Sequence, residues 1–157
     1  MATTDAGHGT VVDAIGRVPF FRGLSRDHCE DIARHSTRRS YAAGSTIVKQ
    51  GDTTMSFYIV LSGRVRFVRE GEGAQVDTGE GGPGTFFGEM GLIDDTERER
   101  TVIAEEATEC ALLVKPDFQH ELREAPEIAL ALLPILTGRI RRLEEELARM
   151  RLDALPG

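Results

Sequence analysis

Phe86-Phe87-Gly88-Glu89-Met90-Gly91-Leu92-Ile93 sets a single acid between two glycines, and Arg98 follows nine residues later, ahead of Thr101-Val102. An acid and a base so spaced can hold the two ends of a small anionic, hydroxylated ligand. A carboxylate only accepts and suits a hydroxyl, whereas a guanidinium only donates and forks onto an oxyanion. Glycines beside the acid let the backbone approach such a ligand closely.

Upstream, from Tyr41, glycine pairs and turn dipeptides punctuate the chain: Ala43-Gly44, Gly51-Asp52, Ser62-Gly63, Gly71, Gly73, Gly79 and Gly81-Gly82-Pro83-Gly84. Between and beyond them lie runs of strand length, namely Thr46 to Lys49, Phe57 to Leu61, Arg64 to Val68, Thr101 to Ala104 and Ala111 to Val114. Val65 and Phe67 alternate with Arg64 and Arg66, which predicts one buried and one wet face. Many short strands with glycine turns predict a mainly-β fold with flanking helices, an antiparallel sandwich or jelly-roll. Gly79-Glu80-Gly81-Gly82-Pro83-Gly84 lacks the lysine of a phosphate-binding loop and reads as a turn before the strand that enters the cassette.

Helices flank this region. Val11, Val12, Ile15 and Val18 repeat at helical spacing in a short helix that Pro19 closes, after a polar N-terminus. Phe20, Phe21 and Leu24 are apolar anchors, and Ser25 is a good N-cap for a second helix burying Cys29, Ile32 and Ala33. Pro116 opens a helix carrying Phe118 and Leu122, and Pro126 is placed to open another. Pro134 predicts a break or kink near Leu130 to Leu133.

At the C-terminal end Leu133, Leu136, Ile140, Leu143, Leu147, Met150 and Ala154 are spaced 3, 4, 3, 4, 3 and 4. With Leu133 at position a, Ile140 also falls at a, and Leu136, Leu143 and Met150 at d, as a parallel two-stranded coiled coil prefers. The pairs Arg139–Glu144 and Glu146–Arg151 then match g to e between partners with opposite charge, and Glu145–Arg149 pairs within one helix. A helix laid on its own domain is the alternative. The favoured expectation is a homodimer through residues 133–151.

A chain of 157 residues predicts one domain. It reads as residues 18–151, with the terminal helix from about 135, and a tail with a short helix over 1–17. The formal charge of −7, from 26 acids against 19 bases, repels nucleic acid and leaves any anion site to be built locally. Neither a signal peptide nor an apolar run of membrane-spanning length is present, so a cytoplasmic location without membrane association is expected. Cys29 and Cys110 are expected to be free thiols. His8, His28, His35 and His120 fall in four separate elements without metal-ligand spacing, and no nucleophile–base–acid set stands out. No enzyme, metal or cofactor is expected.

The Gly88-Glu89-Met90-Gly91-Leu92 motif, Arg98, the roll and the long terminal helix together resemble the cyclic nucleotide-binding domain of catabolite-activator-type regulators, kinases and channels. Supporting fragments are Pro19-Phe20-Phe21, Ser56-Phe57-Tyr58-Ile59-Val60 with Ser62-Gly63-Arg64-Val65, and Pro83-Gly84-Thr85-Phe86-Phe87. The resemblance spans roughly Val18 to Arg151. It implies a β-roll (double-stranded β-helix) of about eight strands and a C-terminal dimerisation helix. It also implies a sensor of cyclic AMP or cyclic GMP acting through partner proteins. By position, Glu89 would take the ribose 2′-hydroxyl and Arg98 the cyclic phosphate. Phe87, Gly88, Met90 and the segment Glu99, Arg100, Thr101 would line the site, with Arg139 near the phosphate and Leu143 near the base. Glu99 and Arg100 replace the small residues usual in the family, and Glu97 stands where proline is common. Nucleotide binding therefore requires Glu99 to turn outward or to pair with Arg100. The alternative is a degenerate domain serving as a dimeric protein-interaction module. Direct DNA binding is not expected: only Asp153 to Gly157 follow the helix, and Glu144-Glu145-Glu146 follow the basic cluster Arg139, Arg141, Arg142.

Overall fold

The structure is a computed structural model and describes residues 2–156, with side chains from Thr10 onward. Helix α1 (Ala2–Arg17) is followed by a 3-10 turn (Pro19–Phe21) and α2 (Arg26–His35). Eight strands come next: β1 (Thr37–Tyr41), β2 (Thr46–Val48), β3 (Ser56–Ser62), β4 (Val65–Gly71), β5 (Ala74–Gly81), β6 (Phe86–Phe87), β7 (Thr101–Ala104) and β8 (Thr108–Val114). A 3-10 turn (Met90–Leu92) separates β6 from β7, and α3 (Lys115–Glu124) and α4 (Pro126–Asp153) close the chain.

The strands form two four-stranded antiparallel sheets, β1-β8-β3-β6 and β2-β7-β4-β5. The expected mainly-β roll with flanking helices is thus corrected: the fold is mixed α/β, with two separate sheets and no closed barrel or roll. Helices of 16, 10, 10 and 28 residues outweigh strands of at most 8. The chain passes from one sheet to the other at turns such as Ser62-Gly63-Arg64 and Gly82–Thr85, so the two hydrogen-bond ladders end on separate edges.

Alternation along the first sheet explains the layering. Phe57, Ile59, Ala111 and Leu113 face a helical layer and pack with Val12, Ile15, Phe20, Phe21, Ile32, Phe118 and Ile128. Tyr58, Val60, Cys110 and Leu112 face the second sheet and pack with Val65, Phe67 and Val102. A sheet covered on both faces needs near-continuous apolar strands, which is what Phe57 to Leu61 and Cys110 to Val114 supply. In β4 the expected alternation is interrupted: Val68 is buried like Val65 and Phe67, where the pairing with β5 shifts register between Phe67 and Val68.

Ser25 caps α2 by accepting from the His28 amide at 3.2 Å. Two histidine–carboxylate contacts tie α2 to its neighbours, His28 to Glu127 at 3.2 Å and His35 to Glu121 at 3.1 Å. Helix α1 is longer than the short helix expected. Helix α4 starts at Pro126, not near residue 135, and runs through Pro134 without the expected break. Ile128 and Leu132 before the proline are buried, and Leu136 after it packs on the same core. Packing on both sides offsets a cost of about 3 kcal/mol for the missing N–H and the ring clash.

Candidate functional site

A cleft of about 220 Å³ opens at one end of the second sheet. Its floor is Val48, Phe67, Phe87 and Val102, one wall is the turn Gly88 to Gly91, and the other is Thr96 to Arg100, with Thr54 between. Both walls contain residues that the sequence singles out, as does the floor at Phe87. Val48, Phe67 and Val102 carry no such signal, although Phe67 falls on a buried face. Register explains its position, since Phe67 lies directly opposite Val102 across β4 and β7.

Arg98 is 9% exposed and enters the cleft wall under tight constraint. Its Nη2 donates to the Ser56 carbonyl at 2.7 Å, and its Cζ stands 5.5 Å from the Tyr58 ring centroid. Tyr58 stacks in turn on Phe87, with centroids 4.9 Å apart. Burial pushes the Arg98 pKa below the ordinary arginine value, against smaller opposing contributions from Tyr58 and Asp52. The group still carries its charge at neutral pH. Among the described residues no carboxylate forms an ion pair with it. A buried cation without a paired anion is costly, and an anionic ligand is what would neutralise it.

Gly88 makes this arrangement possible. Its φ of +88° favours glycine, and a Cβ there would meet the Arg98 guanidinium and come within 2.6 Å of the Ser56 carbonyl. Glu89 then starts the 3-10 turn, whose first internal bond is Gly91 N to Gly88 O at 3.2 Å. The Glu89 and Met90 amides thus lead the turn, as donors suited to an anion. The Glu99 and Arg100 amides likewise donate to no acceptor among the described residues.

Glu89 is already engaged. Its carboxylate, with the side chain 13% exposed, accepts from Arg139 Nη2 of α4 at 3.2 Å, and Arg139 Nη1 lies 3.3 Å from Met90 Sδ. Arg139 is therefore brought to the cleft. Leu143 does not line it: one turn further along α4, it is exposed and shares a shallow groove with Arg139, Arg142, Glu145, Glu146 and Arg149. Thr101 is buried beside the cleft instead of lining it, and its Oγ1 accepts from the Gln50 amide at 3.0 Å. Glu99 and Arg100 are both exposed at the rim and do not pair with each other. The Arg100 guanidinium lies over Phe67 instead, 4.3 Å from the ring centroid.

The cyclic nucleotide-binding domain model matches residues 38–125, more than half the sequence, including both cleft walls. The chain belongs to the cyclic nucleotide-binding domain family. The cyclic AMP receptor protein of Thermus thermophilus is 37% identical over 130 residues, covering 82% of this chain and 60% of that protein. A regulatory subunit of cAMP-dependent protein kinase from Schizosaccharomyces pombe is 32% identical over 111 residues, or 71% of this chain and 26% of the subunit. The N-terminal domain of a transcriptional regulator from Streptomyces coelicolor superposes with a TM-score of 0.79 at 26% identity, covering 85% of this chain and 94% of that domain. The chain thus spans less than two thirds of these two curated relatives. The matched model describes a binding domain, and the relatives above are a receptor protein, a kinase regulatory subunit and a domain of a transcriptional regulator. Among the described residues no helix is long and apolar enough to cross a membrane, and no group of three or more potential metal ligands gathers.

Proposed function

We propose that this cyclic nucleotide-binding domain, residues 18–151, senses a cyclic nucleotide in the cleft between the Gly88–Gly91 turn and Arg98. The carrying observation is the Arg98 guanidinium, buried without a carboxylate partner beside amides that lead a 3-10 turn. In this reading the cyclic phosphate binds Arg98 and those amides, and a ribose hydroxyl donates to Glu89. Phe87 supports Arg98 through Tyr58. Because Glu89 already holds Arg139 of α4, a hydroxyl arriving there alters the contact between cleft and long helix.

The helix carries the response. Ile140, Leu143, Leu147 and Met150 form an exposed apolar stripe on α4, which fits a parallel homodimer along residues 133–151. Aspartates at both Ile140 and Leu147 would place charges in that seam and yield a monomer by light scattering. The domain would then act in the cytoplasm through a protein partner, not by direct contact with DNA. A second reading, a dimeric interaction module that binds no nucleotide, is favoured by Glu89 and Arg100 finding partners within the chain, at Arg139 and Phe67.

Calorimetry with cyclic AMP and cyclic GMP up to about 1 mM separates the two, since that range reaches binding free energies of about −4 kcal/mol. Binding by either nucleotide, weakened at least about tenfold in Arg98→Ala, supports the sensor, because a charge-assisted contact contributes roughly 1.5–3 kcal/mol. Absence of heat and of thermal stabilisation with both ligands would select the interaction module.

A further inference from the structure

Arg100 makes no hydrogen bond or ion pair among the described residues, although it lies in the cleft. Its guanidinium is held only by the Phe67 face at 4.3 Å. Phe67 is itself fixed, being buried opposite Val102 and packed edge-on against Phe87 with centroids 5.9 Å apart. The planar group is therefore kept in place by stacking while its N–H donors stay open toward the cleft. Arg98 differs: it is sunk into the wall, donating to the Ser56 carbonyl. The two guanidiniums accordingly have different surroundings, one buried at the anion end and one exposed on the aromatic floor.

We propose that Arg100 reads the base of the bound nucleotide and selects guanine over adenine; this rests on the cyclic-nucleotide reading above. A guanidinium has donors and no acceptor. Guanine presents two adjacent acceptors, O6 and N7, to such a fork, whereas adenine offers N7 beside an amino donor that meets the fork with like polarity. Helix α4 offers no competing hydrogen bond to a base at Leu143, which is apolar and does not line the cleft. Glu99, the other rim candidate for reading a base edge, is exposed and has no partner holding it over the floor. Val48, Phe87 and Val102, beside the Phe67 face that Arg100 covers, give the base an apolar surface, and the fork supplies the discrimination.

The test is calorimetry of the whole chain with three ligands: cyclic GMP, cyclic AMP, and a ribose 3′,5′-cyclic phosphate that carries no base. The wild type is expected to bind cyclic GMP at least about tenfold tighter than cyclic AMP. Arg100→Ala should bring the two affinities together and leave the base-less ligand unchanged. Arg100→Lys, which keeps the charge without the planar fork, should not restore the preference. Thermal denaturation checks that both variants remain folded. Equal wild-type affinity for the two nucleotides would overturn the proposal, as would a preference that survives in Arg100→Ala. Tighter binding of both nucleotides by Arg100→Ala would overturn it by showing an obstructing side chain. Equal weakening of all three ligands would overturn it by assigning Arg100 to the phosphate. If none of the three binds the wild type, the cyclic-nucleotide reading itself fails and takes this proposal with it.

Discussion

Replacing Gly88 by alanine tests how the cleft is built, and Gly84 supplies the control. Both residues have nearly the same positive φ, +88° and +92°. A Cβ at Gly84 meets nothing within 4 Å, whereas at Gly88 it collides with the Arg98 guanidinium and the Ser56 carbonyl. Gly84→Ala should therefore cost only the left-handed backbone term, about 1–2 kcal/mol. Gly88→Ala adds the loss of the Arg98–Ser56 bond, a charge-assisted contact of roughly 1.5–3 kcal/mol, for a total of about 2.5–5 kcal/mol. With a urea slope near 2 kcal/mol/M, the midpoints should fall by about 0.5–1 M for Gly84→Ala and about 1.2–2.5 M for Gly88→Ala. Urea denaturation followed by circular dichroism measures both. Equal shifts would refute the reasoning, because they would mean that Arg98 does not lean on Gly88.

Phe21→Ala should lower stability by about 3–5 kcal/mol in the same assay, since the ring is fully buried and packs against Phe20, Phe57 and Phe118. Burial pushes the Cys110 thiol up to about 11 from 9.0, with Glu109 adding to the rise. Above about pH 9 the unfolded chain loses that proton while the folded one keeps it, so stability should fall with rising pH by up to ~2–3 kcal/mol near pH 11, and Cys110→Ala should flatten that slope. Ellman's reagent at pH 8 should accordingly label Cys29 and Cys110 only after denaturation, as both are buried with raised pKa values. Lys115 donates to the Asp94 carbonyl and to Asp95, each at 2.8 Å, and holds the Asp95 carboxyl below the usual carboxylate range. The pair's contribution should be present above about pH 4 and lost as pH falls through the lowered Asp95 pKa, a dependence that Lys115→Met should remove from the acid limb of a pH–stability curve.

Much of this was legible because the residues carry local signals. Thr101 to Ala104 was read at its true bounds, and Phe57 to Leu61 within one residue at each end, since apolar runs between turns have few other uses. Strands β1 and β5 were missed: Thr37-Arg38-Arg39-Ser40-Tyr41 and Ala74 to Gly81 are mostly exposed edges with no apolar alternation to betray them. The roll was inferred from strand-length runs, glycine spacing and the family resemblance, yet a sheet's edges depend on which turns cross between layers, and composition does not encode that. Helix α4 was started too late because Pro134 locally argues for a break, while the packing of Ile128 and Leu132 that holds the helix together is tertiary. Both cleft walls were visible as glycine and charge spacing. The contact between Arg139 and Glu89 was not, since 50 residues and a change of layer separate them.

Helix α4 also acts as an arm. Its 28 residues make a rod about 42 Å long, clasped near its start by Ile128 and Leu132 and touched at the cleft by Arg139. From Arg139 to Asp153 the free length is about 21 Å. A pivot of about 10° at the cleft therefore sweeps the far end by ~4 Å, close to half the 8–10 Å that separates packed helix axes. On the proposed reading, a hydrogen bond's worth of adjustment at Glu89 would be enlarged, by leverage alone, into a displacement that the side chains of a closely packed seam could not absorb without repacking.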